Sequence, residues 1–184
     1  MSRERGIPQR NVPTWSWGQI GRLGVIGGLM GGVVMLIGEM AQAAILGDAL
    51  LAPASMIAAM LLGPEVIGTL TLPVLATGMV WHLVLSAIFG VIFAAVVAYW
   101  PTLRQSATTT LGAGAVYGTA LWLVNFYVIG LAVGWTWFAA MTNPIAQVIV
   151  HAFFFGLPLG WYLSRQLPAV VAAVPEEERR REAA

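Results

Sequence analysis

Cysteine and lysine are both missing from this chain. Without cysteine there are no disulfides, thiolate metal sites, iron–sulfur clusters or cysteine nucleophiles. All nine basic residues are therefore arginine, and charged residues of both signs make up only 9% of the sequence. Soluble domains carry about 25%. No basic patch is interleaved with aromatics, so nothing points to nucleic acid. What fills the sequence instead is apolar: 59% of its 184 residues are hydrophobic, more than a water-soluble fold of this size could bury.

A bilayer core of about 30 Å is crossed by about 20 mostly apolar residues in a helix. Four stretches meet this requirement, running roughly Leu23 to Leu46, Leu75 to Tyr99, Thr109 to Val133 and Pro144 to Ser164. Pro101, Pro144 and Pro168 mark ends, where proline is tolerated. Residues 1–22 and 167–184 flank a transmembrane domain of residues 23–166. Ala41-Gln42-Ala43 resembles a signal cleavage site, but the apolar stretch before it exceeds the ~7–15 residues of a signal core and Glu39 interrupts it. The first span is expected to stay.

Arg3, Arg5, Arg10 and Arg22 precede the first span, Arg104 lies between the second and third, and Arg165, Arg179, Arg180 and Arg181 follow the fourth. The other two loops have no arginine. The positive-inside rule then places both termini in the cytoplasm. The first outer loop, Pro53 to Pro73, is almost uncharged, and Ala54 to Leu62 is expected to form a short interfacial helix. The second, Gly134 to Asn143, carries Trp135 and Trp137, read either as headgroup anchors or as a lid. The tail from Pro175 to Ala184 alternates acidic and basic blocks and reads as solvated.

The two halves align. Gly28 matches Gly114, Gly32 matches Gly118, and Glu39 matches Asn125 without a gap, while the second helix of each half carries one of the two histidines, His82 and His151. Two spans per half make the repeats parallel, related by an axis along the membrane normal. Small residues four apart let helices approach closely in lipid. Gly28, Gly32, Gly114 and Gly118 are thus candidate packing residues, either within one bundle or between two copies.

Depth singles out the polar residues. Glu39 and Asn125 lie seven and eight residues before the outer ends of their helices, and His82 and His151 each lie seven residues in from theirs. At ~1.5 Å per residue, all four sit about 10 Å below the outer surface. Gln42, Ser86 and Gln147 lie one helical turn away on the same faces. Ionisable residues at this depth are costly and tend to mark function. Glu39, His82, Asn125, His151, Gln42 and Gln147 form the candidate site. It reads as a structural register lock, a proton or small-ligand site, or a divalent-metal site using Glu39, His82 and His151. A b-type haem held by His82 and His151 is a further reading. Neither haem nor metal is favoured over no cofactor. If the layer is one network, Glu39 should contact a histidine directly or through water.

Enzyme signatures are absent: there is no phosphate-binding glycine loop followed by lysine, no serine elbow and no HExxH. The chain does resemble the YagU-type small inner-membrane proteins of bacteria, a group without an established biochemical function. The resemblance rests on His82-x3-Ser86-x2-Phe89, Pro101, Leu111-x-Ala113-Gly114-Ala115, Phe126-x3-Gly130-Leu131, and His151 with Gln147 four residues before it. The first helix and outer loop depart from the pattern, so Glu39 is not carried over. The resemblance implies bacterial inner-membrane residence and a four-helix unit, and names no ligand. The expectation is an all-α, non-enzymatic membrane bundle of four helices, built as two parallel repeats. Its partners are the lipid bilayer and, as alternatives, a homo-oligomer or a larger complex that it serves as an accessory or haem-bearing subunit.

Overall fold

The computed structural model describes residues 15–167. The first fourteen residues, with Arg3, Arg5 and Arg10, and the tail from residue 168, with Arg179, Arg180 and Arg181, lie outside them. The described residues form six helices joined by turns, two of which, Pro64–Val66 and Pro101–Arg104, are short 3-10 helices. Four are long and apolar enough to cross a membrane: α1 (Trp17–Leu46), α3 (Leu72–Tyr99), α4 (Ala107–Val133) and α6 (Pro144–Gln166). Between α1 and α3 lies α2 (Ala52–Leu62), and between α4 and α6 lies the short α5 (Trp137–Met141).

Helix α1 starts six residues before the expected Leu23, so residues 17–22 are helical rather than a flanking segment. Its first turn is closed by a capping box. Ser16 Oγ accepts from the Gln19 N–H at 3.2 Å, and Gln19 Oε1 accepts from the Ser16 N–H at 3.0 Å. Both groups would otherwise be orphan donors at a helix start. Asn143 does the same for α6, accepting from the N–H groups of Ile145 and Ala146. The carboxyl ends of α1 and α4 stop at Gly47 and Gly134, whose φ angles of 86° and 85° favour glycine.

The long helices form a square. α1 packs along α3, α4 packs along α6, and α1 also packs along α6. α3 and α4 meet more sparingly, through the Tyr117 ring stacked on Phe93 at 4.7 Å and the Tyr117 hydroxyl donating to the Phe89 carbonyl at 2.8 Å. α1 and α4 are diagonal, as are α3 and α6.

Glycines hold the two hairpins together. A Cβ on Gly28 would strike the Ser86 carbonyl and Gly90, and one on Gly114 would strike the Gly156 carbonyl and Gly160. Gly32 rests on Ser86 and His82, and Gly118 on His151 and Ala152. All four are consumed inside the bundle, so they are not available to a second copy. A further row on α1, Gly27, Gly31 and Gly38, faces Leu159, Tyr162, Phe155 and Phe154 of α6.

The inner half of the bundle has a dense core containing Phe93, Val97, Phe155, Leu159 and Leu163. Outside, Val33, Val84, Ile92, Val116 and Phe153 are exposed, as expected of helices whose outer surface meets lipid rather than water. Arg104, between the second and third spans, is only 2% exposed, and its guanidinium nitrogens have no partner among the described residues. Burial lowers its pKa from the usual arginine value.

Candidate functional site

The half of the bundle beneath α2 and α5 is not filled. A partly open cavity of about 330 Å³ lies there, and all six residues of the candidate polar layer line it: Glu39 and Gln42 from α1, His82 from α3, Asn125 from α4, Gln147 and His151 from α6. Its floor is Met35, Phe89 and Phe155. Its roof is α2, through Pro53, Met56, Ile57 and Met60, completed by Trp135, Phe138 and Met141 from the second outer loop.

Two π-helical segments place two of the six residues. Val124–Ile129 carries Asn125, and Val150–Gly156 carries His151. Such segments contain one residue more than an α-helix would need and recur at functional sites. Comparison with the first half identifies the extra residue. Gly47 closes α1 fifteen residues after Gly32, and Gly134 closes α4 sixteen after Gly118. Likewise, Ser86 follows His82 by four residues, but its counterpart Gly156 follows His151 by five. Each π segment absorbs one inserted residue and leaves the glycine contacts of the second hairpin in the register of the first.

Within the layer the bonds run as follows. The Gln147 amide donates to Glu39 Oε2 at 3.1 Å, joining α6 to α1. His151 Nδ1 lies 2.9 Å from the Gln147 carbonyl and His82 Nε2 lies 2.9 Å from the Gly32 carbonyl. A carbonyl only accepts, so these ring nitrogens carry the protons. In the neutral rings, His82 Nδ1 and His151 Nε2 keep their lone pairs. Ser86 Oγ donates to the His82 carbonyl at 2.7 Å. Asn125 lines the cavity without joining this chain.

Glu39 is bonded to Gln147 rather than directly to a histidine, and His151 is reached through the Gln147 backbone. Depth correctly gathers the side chains, but partners depend on which helices touch, and α1 presents Glu39 toward α6 one turn outward of His151. His82 is held separately by α1. The metal reading loses support for the same reason: among the described residues no three histidine, cysteine, aspartate or glutamate side chains form a group able to hold a metal ion. For a haem between the histidines, His82 would have to give up its Gly32 bond before its Nε2 could ligate.

Two buried oxygens of the cavity wall, Gln42 Oε1 and Gln147 Oε1, have no hydrogen-bond partner among the described residues, and neither does the donor Trp81 Nε1. Trp81 was not singled out in the sequence, since an indole on an apolar helix reads as packing. Asp48, just beyond α1, adds a second carboxylate to the lining, and no arginine lines it.

The roof is fastened at several points. A Cβ on Gly78 of α3 would strike the Ala54 carbonyl. Ser55 is fully buried, donates to the Ala52 carbonyl and accepts from the Gly68 N–H at 2.9 Å. Trp137, only 9% exposed, packs with Ala59, Phe126 and Phe138 and donates its indole N–H to the Met56 carbonyl at 3.3 Å. It clamps α2 down over the cavity. Comparison with protein-family models, with curated proteins and with solved structures finds no match.

Proposed function

We propose that this chain is a non-enzymatic, multi-pass protein of the bacterial inner membrane, with both termini cytoplasmic, whose outer-leaflet cavity binds a small ligand. The observation carrying this reading is the cavity itself, with a polar side chain from every spanning helix on its wall. Protein interiors are close-packed, with few voids larger than a water molecule. Locking helix register calls for hydrogen bonds but not for empty space. A pocket of a few hundred Å³ with mostly apolar walls and a few polar groups has the make-up of a ligand site, and this one is about 330 Å³. Arg22, Arg104 and Arg165 at the opposite ends of the spans support the cytoplasmic placement of those ends. The YagU-type resemblance supports bacterial inner-membrane residence.

Native mass spectrometry of protein released from its own membranes tests the reading. A discrete small-molecule adduct is expected on the wild type and is lost in Leu121→Trp, which fills the cavity from α4. A wild type without an adduct, or an adduct that survives in a Leu121→Trp protein of unchanged melting temperature, would overturn it. The absorbance spectrum of the same sample is expected to lack a haem band, which disposes of the bis-histidine alternative.

A further inference from the structure

The chemistry of the cavity wall goes further, and it rests on the ligand-site reading above. Gln147 is 3% exposed, and its amide NH₂ donates to Glu39 Oε2 at 3.1 Å. That leaves Gln147 Oε1 buried, on the cavity wall, without a donor. The Gln42 amide, also on the wall, makes no hydrogen bond among the described residues and is free to turn its oxygen to the cavity. Glu39 receives one bond, to Oε2, from a group able to satisfy only part of a carboxylate's capacity. An unpartnered buried polar atom is costly, and this cavity places such atoms on its acceptor side. Glu39 and Asp48 are the acidic groups of its lining, which holds no arginine or lysine; the two histidines turn a ring N–H to a backbone carbonyl. The opposing walls are aromatic and thioether: Phe89, Phe126, Phe155, Met35, Met56 and Met60.

We infer that the cavity takes a protonated primary amine with an apolar body, its ammonium set against Glu39, Gln42 and Gln147. An ammonium carries three donors and no acceptor, matching a carboxylate and two amide oxygens. It supplies the counter-charge that an intramembrane carboxylate otherwise lacks. Aromatic faces favour a nearby cation, and the methionines conform to an aliphatic or aryl tail. The lone Trp81 N–H is then free for an acceptor elsewhere on the molecule. A bare inorganic cation would satisfy the charge but leave the apolar space empty.

Isothermal titration of the full-length protein in an uncharged detergent with 2-phenylethylammonium, 2-phenylethanol and 3-phenylpropionate tests this at neutral pH. The ammonium compound is expected to bind at least ~10-fold more tightly than the alcohol, as charge-assisted bonds outweigh neutral ones, and the carboxylate not at all. Glu39→Gln keeps an acceptor for the Gln147 amide, so the bundle still folds; it should remove the preference and sets the background from micelle partitioning. Equal binding of ammonium and alcohol, or an unchanged preference in Glu39→Gln, would overturn the amine while leaving a ligand cavity. Sodium chloride displacing the ammonium at equal concentration would overturn it in favour of an inorganic cation. If none of the three compounds binds, the amine falls, whereas the ligand reading stands or falls on its own mass-spectrometric adduct.

Discussion

Glu39 shows what a single residue discloses and what it withholds. Its depth in the apolar run, and that of His82, Asn125 and His151, places them in one layer from the sequence alone, since a helix converts residue count into height. Its partner was not legible. Height carries no information about which helices are neighbours, and Gln147 reaches it because α6, rather than α3, stands beside that face. The energetic consequence can be measured. Glu39→Ala and Gln147→Ala each orphan a buried polar group, and each should lower stability by about 1–3 kcal/mol. The double substitution should cost clearly less than the sum, whereas Glu39→Ala combined with His82→Ala should be close to additive. Unfolding in mixed micelles, followed by circular dichroism, provides the four corners of each cycle. Glycine gives a second residue-scale contrast. A methyl group on Gly118 presses on the backbone of His151 and Ala152, while one on Gly112 meets nothing within 4 Å. Gly118→Ala should therefore cost about 1–3 kcal/mol, the range for overpacking, and Gly112→Ala should leave the melting temperature essentially unchanged. Equal effects would mean that the hairpin contact is looser than the glycine row implies.

At the scale of elements, the four spans were legible because a bilayer demands a run of apolar residues that no other context supplies. The short α2 was legible because an uncharged outer loop has to go somewhere other than water. The amino-terminal turns of α1 were missed: Gly18, Gly21 and Arg22 dilute the apolar signal, although Ser16-x-x-Gln19 is a readable capping box. Helix α5 is too short for periodicity to register. Trp137 was read as an anchor or a lid because an isolated indole has the same sequence appearance in either role; the structure gives it a third one, as a clamp on α2. If the clamp holds, Met56→Cys, on the cavity side of the roof, should react with a water-soluble maleimide far more slowly than Asp48→Cys on the exposed turn before it. Adding Trp137→Ala should speed the reaction at Met56→Cys, because the roof loses both its packing and its indole hydrogen bond. An equal rate with and without Trp137 would show that Gly78 and Ser55 hold α2 unaided.

For the whole molecule, orientation follows from arginine placement. Reporter fusions at Pro64 and Thr136 should read periplasmic and one at Ala184 cytoplasmic; a periplasmic carboxyl terminus would overturn the assignment. The relation between the halves was half legible. The glycine and histidine correspondence stands in the sequence, but the one-residue offsets after Asn125 and His151 acquire meaning only once the contacts of Gly114 and Gly118 fix the register. Those offsets have a consequence for which deletions the chain tolerates. Removing one residue from a packed helix turns everything beyond it by about 100°, which ordinarily ruins a membrane bundle. Val150–Gly156 already holds a surplus residue, so deleting Phe153, which is 55% exposed, should convert the π turn to an α turn. His151 and Gly156 would then have the four-residue spacing of His82 and Ser86, with Gly160 still against Gly114. The shortened chain should reach the membrane and melt close to the wild type, while deletion of Val84 from the regular α3 should abolish the folded protein. Two deletions of equal size, both at lipid-facing positions of packed helices, are thus expected to have opposite fates.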